Sequence, residues 1–210
     1  MEQEKRHLKI IIPIVLAIFI IGIIGILVII NGNKEKKAEQ VKEQEQSISN
    51  YNSLITNTIS LMYSNEIKIE KHCDMISSVW YDSIMEKNNS KTSKYVCYRT
   101  GTYGKLVFNS FNKSISNYLA DETVANDILS ISEVVKTIKD NMAKLQKVPS
   151  SEYQSSYDKL VEIYGSFNSL YESIISPSGS YNDYSSKCKS NSEEFKSNYN
   201  KIIVMIPKLD

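Results

Sequence analysis

Apolar positions along the chain fall into two regimes. Residues 10–30 read IIIPIVLAIFIIGIIGILVII, a run with no charged or strongly polar side chain and about the length that crosses a bilayer as a helix. Beyond it, apolar residues return in steps of three and four, the spacing that keeps them on one helical face. Val41, Ile48, Ile55, Met62, Ile69 and Ile76 form a strict seven-residue repeat, with Tyr51, Thr58, Cys73 and Val79 near the companion positions. That repeat predicts coiled-coil-like packing of a first helix over about 35–87. A second series, Phe108, Phe111, Ile115 and Tyr118, shifts phase at Ala120-Asp121 and resumes as Val124, Ile128, Ile131, Val135, Ile138, Met142 and Leu145. It predicts a helix over about 105–147 with a break that Asp121 caps.

Pro149 ends that series, and Ser151 with Gln154 forms a capping-box pattern for a third helix over about 151–175, carrying Tyr153, Tyr157, Leu160, Tyr164, Phe167, Tyr171 and Ile174. After Ser176-Pro177-Ser178-Gly179-Ser180, a fourth runs over about 180–206 through Tyr181, Tyr184, Cys188, Phe195, Tyr199, Ile202 and Ile206. No segment sustains two-residue alternation, so no sheet is expected. The fold class predicted is all-α: an N-terminal transmembrane helix, then an elongated antiparallel bundle of about four helices, the first two longest. Short connections make successive helices antiparallel neighbours. The shorter last pair is expected to pack against the part nearest the membrane, leaving two helices and their connection at the far end.

The organisation that follows is a short tail at 1–7, a membrane helix at 8–30 and an exposed domain at 31–210. Asn31-Gly32-Asn33 after the apolar run contains no A-x-A cleavage pattern, which argues for a retained anchor. Lys5, Arg6 and Lys9 before the run are matched by Lys34, Lys36, Lys37 and Lys42 after it, so the positive-inside rule does not choose between orientations. The basic leader ahead of a long apolar run has the layout of a signal-anchor, with the domain on the extracytoplasmic side of a cell membrane. A cytoplasmic domain is the alternative orientation.

With 25 Lys and Arg against 24 Asp and Glu the net charge is +1, which offers no electrostatic footprint for nucleic acid. No G-x-S-x-G elbow or phosphate-binding glycine loop is present. Of two histidines, His7 adjoins the apolar run, so histidine chemistry would run through His72 alone. These features predict no enzyme, no cofactor and no metal. A zinc site from His72, Cys73 and Cys97 lacks a fourth ligand with suitable spacing.

Residues 88–104, NNSKTSKYVCYRTGTYG, are the long irregular connection, a tip loop containing Gly101 and Gly104. Tyr95, Tyr98, Arg99 and Tyr103 there, with Trp80 and Tyr81 on the adjoining helix end, are the partner-binding candidates. The same aromatics could instead pack the loop onto the helices. Of three cysteines, Cys188 reads as a small buried apolar residue, whereas Cys73 and Cys97 flank the tip. A disulfide between those two would add about 3 kcal/mol in the chain-entropy model, given an oxidising compartment. The function expected is a single-pass, membrane-anchored binding or scaffold module for a protein partner at the cell surface, in which a homo-oligomer is admissible. The alternatives are a ligand-sensing or accessory subunit holding a small molecule near the tyrosines of the last two helices, and a cell-envelope processing enzyme.

Overall fold

The computed structural model describes residues 34–207. The predicted tail at 1–7 and membrane helix at 8–30 lie outside the described residues. Among the described residues, no helix is long and apolar enough to cross a membrane.

Helix α1, Lys34–Ile84, is the central stave. From Ile55 onward its seven-residue ladder is buried: Ile55, Met62, Ile69 and Ile76 are each fully enclosed. Two neighbouring ladders at the same period are buried with it, Tyr51, Thr58, Asn65, His72 and Val79 on one side, and Asn52, Ile59, Glu66, Cys73 and Trp80 on the other. A stripe this wide arises because α1 is packed by helices on several sides rather than by one partner. Polar members of the side ladders bond locally. The Thr58 hydroxyl donates to the Leu54 carbonyl at 2.7 Å, and the Asn65 amide donates to the Leu61 carbonyl at 2.9 Å.

The stretch that follows departs from the all-helical reading. One helical turn, α2 at Ser93–Val96, leads into an antiparallel hairpin of β1, Cys97–Thr100, and β2, Lys105–Phe108. Cys97 pairs with Phe108 and Thr100 with Lys105. Gly101 and Gly104 take positive φ of 72° and 63°, and the Gly104 N–H donates to the Gly101 carbonyl at 3.1 Å, closing the turn. Four-residue strands are too short to display an alternating pattern, which is why the expectation of no sheet fails here and why Phe108, expected at the start of a helix, sits on a strand.

The predicted second helix is therefore two. Helix α3, Phe111–Leu119, starts at Ser110, whose side chain accepts from the Lys113 N–H. Helix α4, Glu122–Leu145, restarts at Asp121, whose carboxylate accepts from the Val124 N–H at 3.4 Å. The phase shift in the sequence marks this break, and the split removes the second helix from the two longest. The predicted capping box at Ser151 does not form. Residues Ser151–Tyr153 make a 3-10 turn that buries Tyr153, and Gln154 reaches forward to the Asp158 carboxylate at 2.8 Å. Helix α5 is Gln154–Ile175 and helix α6 is Tyr181–Met205, capped by the Ser180 hydroxyl accepting from the Asp183 N–H at 3.2 Å.

Cross-links fix the directions of the helices. Tyr51 on α1 donates to the Leu145 carbonyl at the end of α4 at 3.0 Å, and its ring meets Tyr153 edge-on at 5.3 Å. At the other end of α1, Tyr81 faces Tyr181, the first residue of α6, at 5.7 Å. The Asn52 amide reaches the Pro207 carbonyl beyond the end of α6. So α4 and α6 run antiparallel to α1 and α5 runs parallel to it. The last helix pair spans α1 from Tyr51 to Tyr81, contrary to the expectation that it stops short of the hairpin end. What lacks cover is the beginning of α1, where the side chains of residues 42–47 are all exposed.

Candidate functional site

The hairpin end holds most of the sequence candidates, but in two groups. Trp80 and Tyr95 are interior. Trp80 is only 3% exposed, lies between the Phe111 ring, stacked at 5.2 Å, and Tyr184 at 5.4 Å, and belongs to the core. Tyr95 is 6% exposed and meets Tyr118 edge-on at 5.2 Å. Neither is the surface contact that the sequence predicts, because a helix end beside a loop looks accessible until distant elements are placed. The structure brings α3 and the start of α6 over them.

Tyr81, Tyr98, Arg99 and Tyr103 are exposed, with Tyr98 at 53% and Tyr103, on the hairpin turn, fully in solvent. Arg99 is held across the turn by its Nη1, which donates to the Gly104 carbonyl at 3.0 Å. Ile84, Met85 and Phe111 at the same end are also exposed. Sequence reasoning missed these three because they continue helical patterns and give no sign that their neighbours stop short. Several large apolar side chains exposed at one end of a rod form the kind of surface that marks an interaction site.

The base beneath them is fixed. Thr92 donates to the Asp82 carboxylate at 2.7 Å in the interior. The Ser83 hydroxyl donates to the Asn109 carbonyl at 3.1 Å and accepts from Ser114 at 3.0 Å. The amides of Asn109 and Asn117 both donate to the Tyr95 carbonyl, at 2.9 and 3.0 Å. An open cleft of about 590 Å³ runs beside this base, with Tyr81, Lys87, Asn88 and Tyr181 among its walls. The Lys87 ammonium donates to the Tyr81 hydroxyl at 3.1 Å.

Charge separates this end from the rest. Residues 85–113 contain Lys87, Lys91, Lys94, Arg99, Lys105 and Lys113 against the single acid Glu86, although the whole chain carries only +1. Lys94 pairs with Asp121 at 2.7 Å. The cancellation of charge over the full length hides this local excess, so whole-chain arithmetic could not reveal it.

The cysteines are arranged differently from the sequence expectation. All three are free, so the bond that the sequence allows between Cys73 and Cys97 is not formed. Cys73 lies about 16 Å below the end of α1, at 1.5 Å per residue, on the side that faces α6. There Ser185 bonds Ser77 across the two helices at 3.2 Å, which places Cys73 on the same stretch of the α1–α6 seam as the buried Cys188. Cys97 remains at the hairpin, its thiol donating to the Ser93 carbonyl at 3.4 Å. His72 is buried, with Nδ1 at 2.6 Å from the Tyr118 hydroxyl, and burial holds its pKa below the usual imidazole value. Among the described residues, no group of three or more His, Cys, Asp or Glu is placed to hold a metal ion.

A buried ionic group gives no sign of itself in the sequence. Glu66 is fully enclosed between α1 and α6, and its Oε1 accepts from Ser192 at 2.8 Å. Glu70 Oε1 lies 2.9 Å from the same hydroxyl and 2.6 Å from the Lys196 ammonium. Burial raises the pKa of Glu66 against the pull of Ser192 and Lys196. For Glu70 burial also acts upward, but the bonds from Lys196 and Ser192 outweigh it and hold the carboxyl below its usual value. Ser192 has one proton for two carboxylates and no imidazole beside it, an arrangement suited to structural bonding rather than nucleophilic attack.

The tyrosines of the last two helices act mainly as links. Tyr171 donates to the Ser132 hydroxyl at 2.9 Å, Tyr199 stacks on Tyr63 at 4.5 Å, and Tyr184 fills the space beside Trp80. No protein-family model, curated protein or solved structure matches the chain.

Proposed function

We propose that this protein is a single-pass, membrane-anchored binding module that presents the hairpin end of its bundle to a protein partner at the cell surface. The observation that carries the reading is the set of exposed apolar side chains, Tyr81, Ile84, Met85, Tyr98, Tyr103 and Phe111, gathered on a base locked by buried hydrogen bonds. Interfaces favour exposed tyrosine and arginine over an ordered backbone, because little conformational entropy is then lost on docking. The local excess of lysine and arginine fits a partner with an acidic face. Residues 8–30 seat the chain in the bilayer in the layout of a signal-anchor, with the short basic leader inside and the bundle outside. The absence of a nucleophile–base pair and of a phosphate loop in the sequence supports a role in presentation rather than catalysis.

The test places a photo-crosslinking amino acid at position 103 or 98 of the full-length chain in its native membrane, with position 129 on the exposed face of α4 as comparison. A discrete protein adduct from 103 and 98, weakened by raised salt and absent from 129, is the expected result. Equal labelling from all three positions, or none from the hairpin, would overturn the reading.

A further inference from the structure

The strongest unassigned chemistry lies away from the hairpin end, between α1 and α6. Cys73 and Cys188 come from helices far apart in sequence and meet in the interior, 2% and 7% exposed. The Ser192–Glu70 and Ser185–Ser77 hydrogen bonds, at 2.9 and 3.2 Å, bracket the pair and set Cys73 opposite Cys188 on the facing sides of α1 and α6. The Tyr184 hydroxyl, one helical turn before Cys188, is buried without a hydrogen-bond partner. Two cysteines used only as small apolar fillers need not face each other across a helix seam.

We propose that Cys73 and Cys188 form a redox-active thiol pair, a modification site that accepts a disulfide bond from a small disulfide donor and joins α1 to α6. Cys188 is the attacking group. The neighbouring Cys73 thiol holds its pKa below the usual thiol value. In the first step the Cys188 thiolate attacks one sulfur of the donor, the donor's S–S bond breaks, and its other half leaves as a thiolate. In the second, Cys73 gives up its proton and attacks Cys188 Sγ, expelling the remaining half of the donor. The protein loses two thiol hydrogens and two electrons, and the donor disulfide becomes two thiols. Cys97 stays out of the exchange because its thiol is held at the hairpin by Ser93.

The test treats the full-length protein, folded in detergent, with oxidised glutathione, then alkylates it in denaturant and maps its peptides without reduction. The expected result is a fall from three alkylated cysteines to one, a linked pair of peptides containing Cys73 and Cys188, and a mass two hydrogens lower. The unfolding midpoint should rise by about 10 °C, and dithiothreitol should reverse the change. Cys97→Ser should leave the reaction intact and Cys188→Ser should abolish it, with circular dichroism verifying that each variant is folded. Three alkylated cysteines after oxidation, a linkage through Cys97, or arrest at a glutathione adduct would overturn the proposal. This outcome does not depend on the hairpin surface, so it stands or falls apart from the binding role.

Discussion

Asp82 and Thr92 meet in a buried hydrogen bond of 2.7 Å between the last turns of α1 and the connection that carries the hairpin. Thr92 is fully enclosed and Asp82 nearly so, so the bond sets the platform on which the hairpin stands. Thr92→Val keeps the shape but strands a carboxylate oxygen in the interior, a loss of about 1–3 kcal/mol. Urea unfolding should register that loss, and amide exchange at residues 97–108 should accelerate more than exchange in α5. Uniform acceleration across the bundle would contradict a local role.

The two groups of hairpin-end aromatics should respond oppositely to alanine. Tyr98→Ala and Tyr103→Ala should leave stability within about 0.5 kcal/mol, as exposed substitutions do, while reducing partner crosslinking at least tenfold. Trp80→Ala removes a ring packed between Phe111 and Tyr184 and should cost about 3–5 kcal/mol. Denaturant curves for the three variants make the comparison, and a stable Trp80→Ala protein would argue against the packing described.

Glu66 gives acid pH a stabilising influence. Its folded pKa lies above the 4.5 of a free carboxyl because it is buried. The stability associated with its neutral form is therefore complete below 4.5 and fades as pH rises through the folded value. Glu66→Gln stays neutral throughout. The variant should melt above the parent at pH 7, and the gap should close at pH 4. Lys196 and Glu70 face the same group, so their state must be held constant by comparing the two proteins in identical buffers. An equal gap at both pH values would show that charge at position 66 is irrelevant.

His72 acts in the reverse sense. Burial lowers its folded pKa below 6.5, so the stability tied to its neutral ring is present above 6.5 and declines as pH falls through that value. A nuclear magnetic resonance titration should find the His72 ring protons shifting below pH 6.5. Tyr118→Phe leaves Nδ1 without its partner at 2.6 Å and should cost about 1–3 kcal/mol at neutral pH. A titration midpoint above 6.5 would contradict this account.

The helices are legible in the sequence because their apolar residues repeat over many turns. Ile55, Met62, Ile69 and Ile76 announce α1, and the slip at Ala120-Asp121 announces the break before α4. The side ladders of α1 are less legible, since Asn65, Glu66 and His72 look like solvent-facing residues until neighbours cover that flank. The hairpin is hidden by brevity, as CYRT and KLVF are shorter than any reliable alternating signal. Among the candidates, Tyr98, Arg99 and Tyr103 stand at exposed positions, as their place in a glycine-containing connection suggests, whereas Trp80 and Tyr95 are enclosed by α3 and α6, elements distant in sequence. The placing of Cys73 opposite Cys188 depends on the register of two helices more than a hundred residues apart, which no local pattern encodes.

The bare stretch of α1 at residues 42–47 has a mechanical meaning. Side chains 42–47 stand in solvent, and the packed part starts at Ile48. A lone helix of that length is marginal in water and borrows its order from the turns that follow. It is therefore the natural place for a protease to cut while leaving the bundle whole. From Lys34 to Ile48 it also extends about 21 Å ahead of the compact part. The protein thus carries its own spacer, and shortening that spacer should change how far the hairpin reaches without altering what the hairpin is.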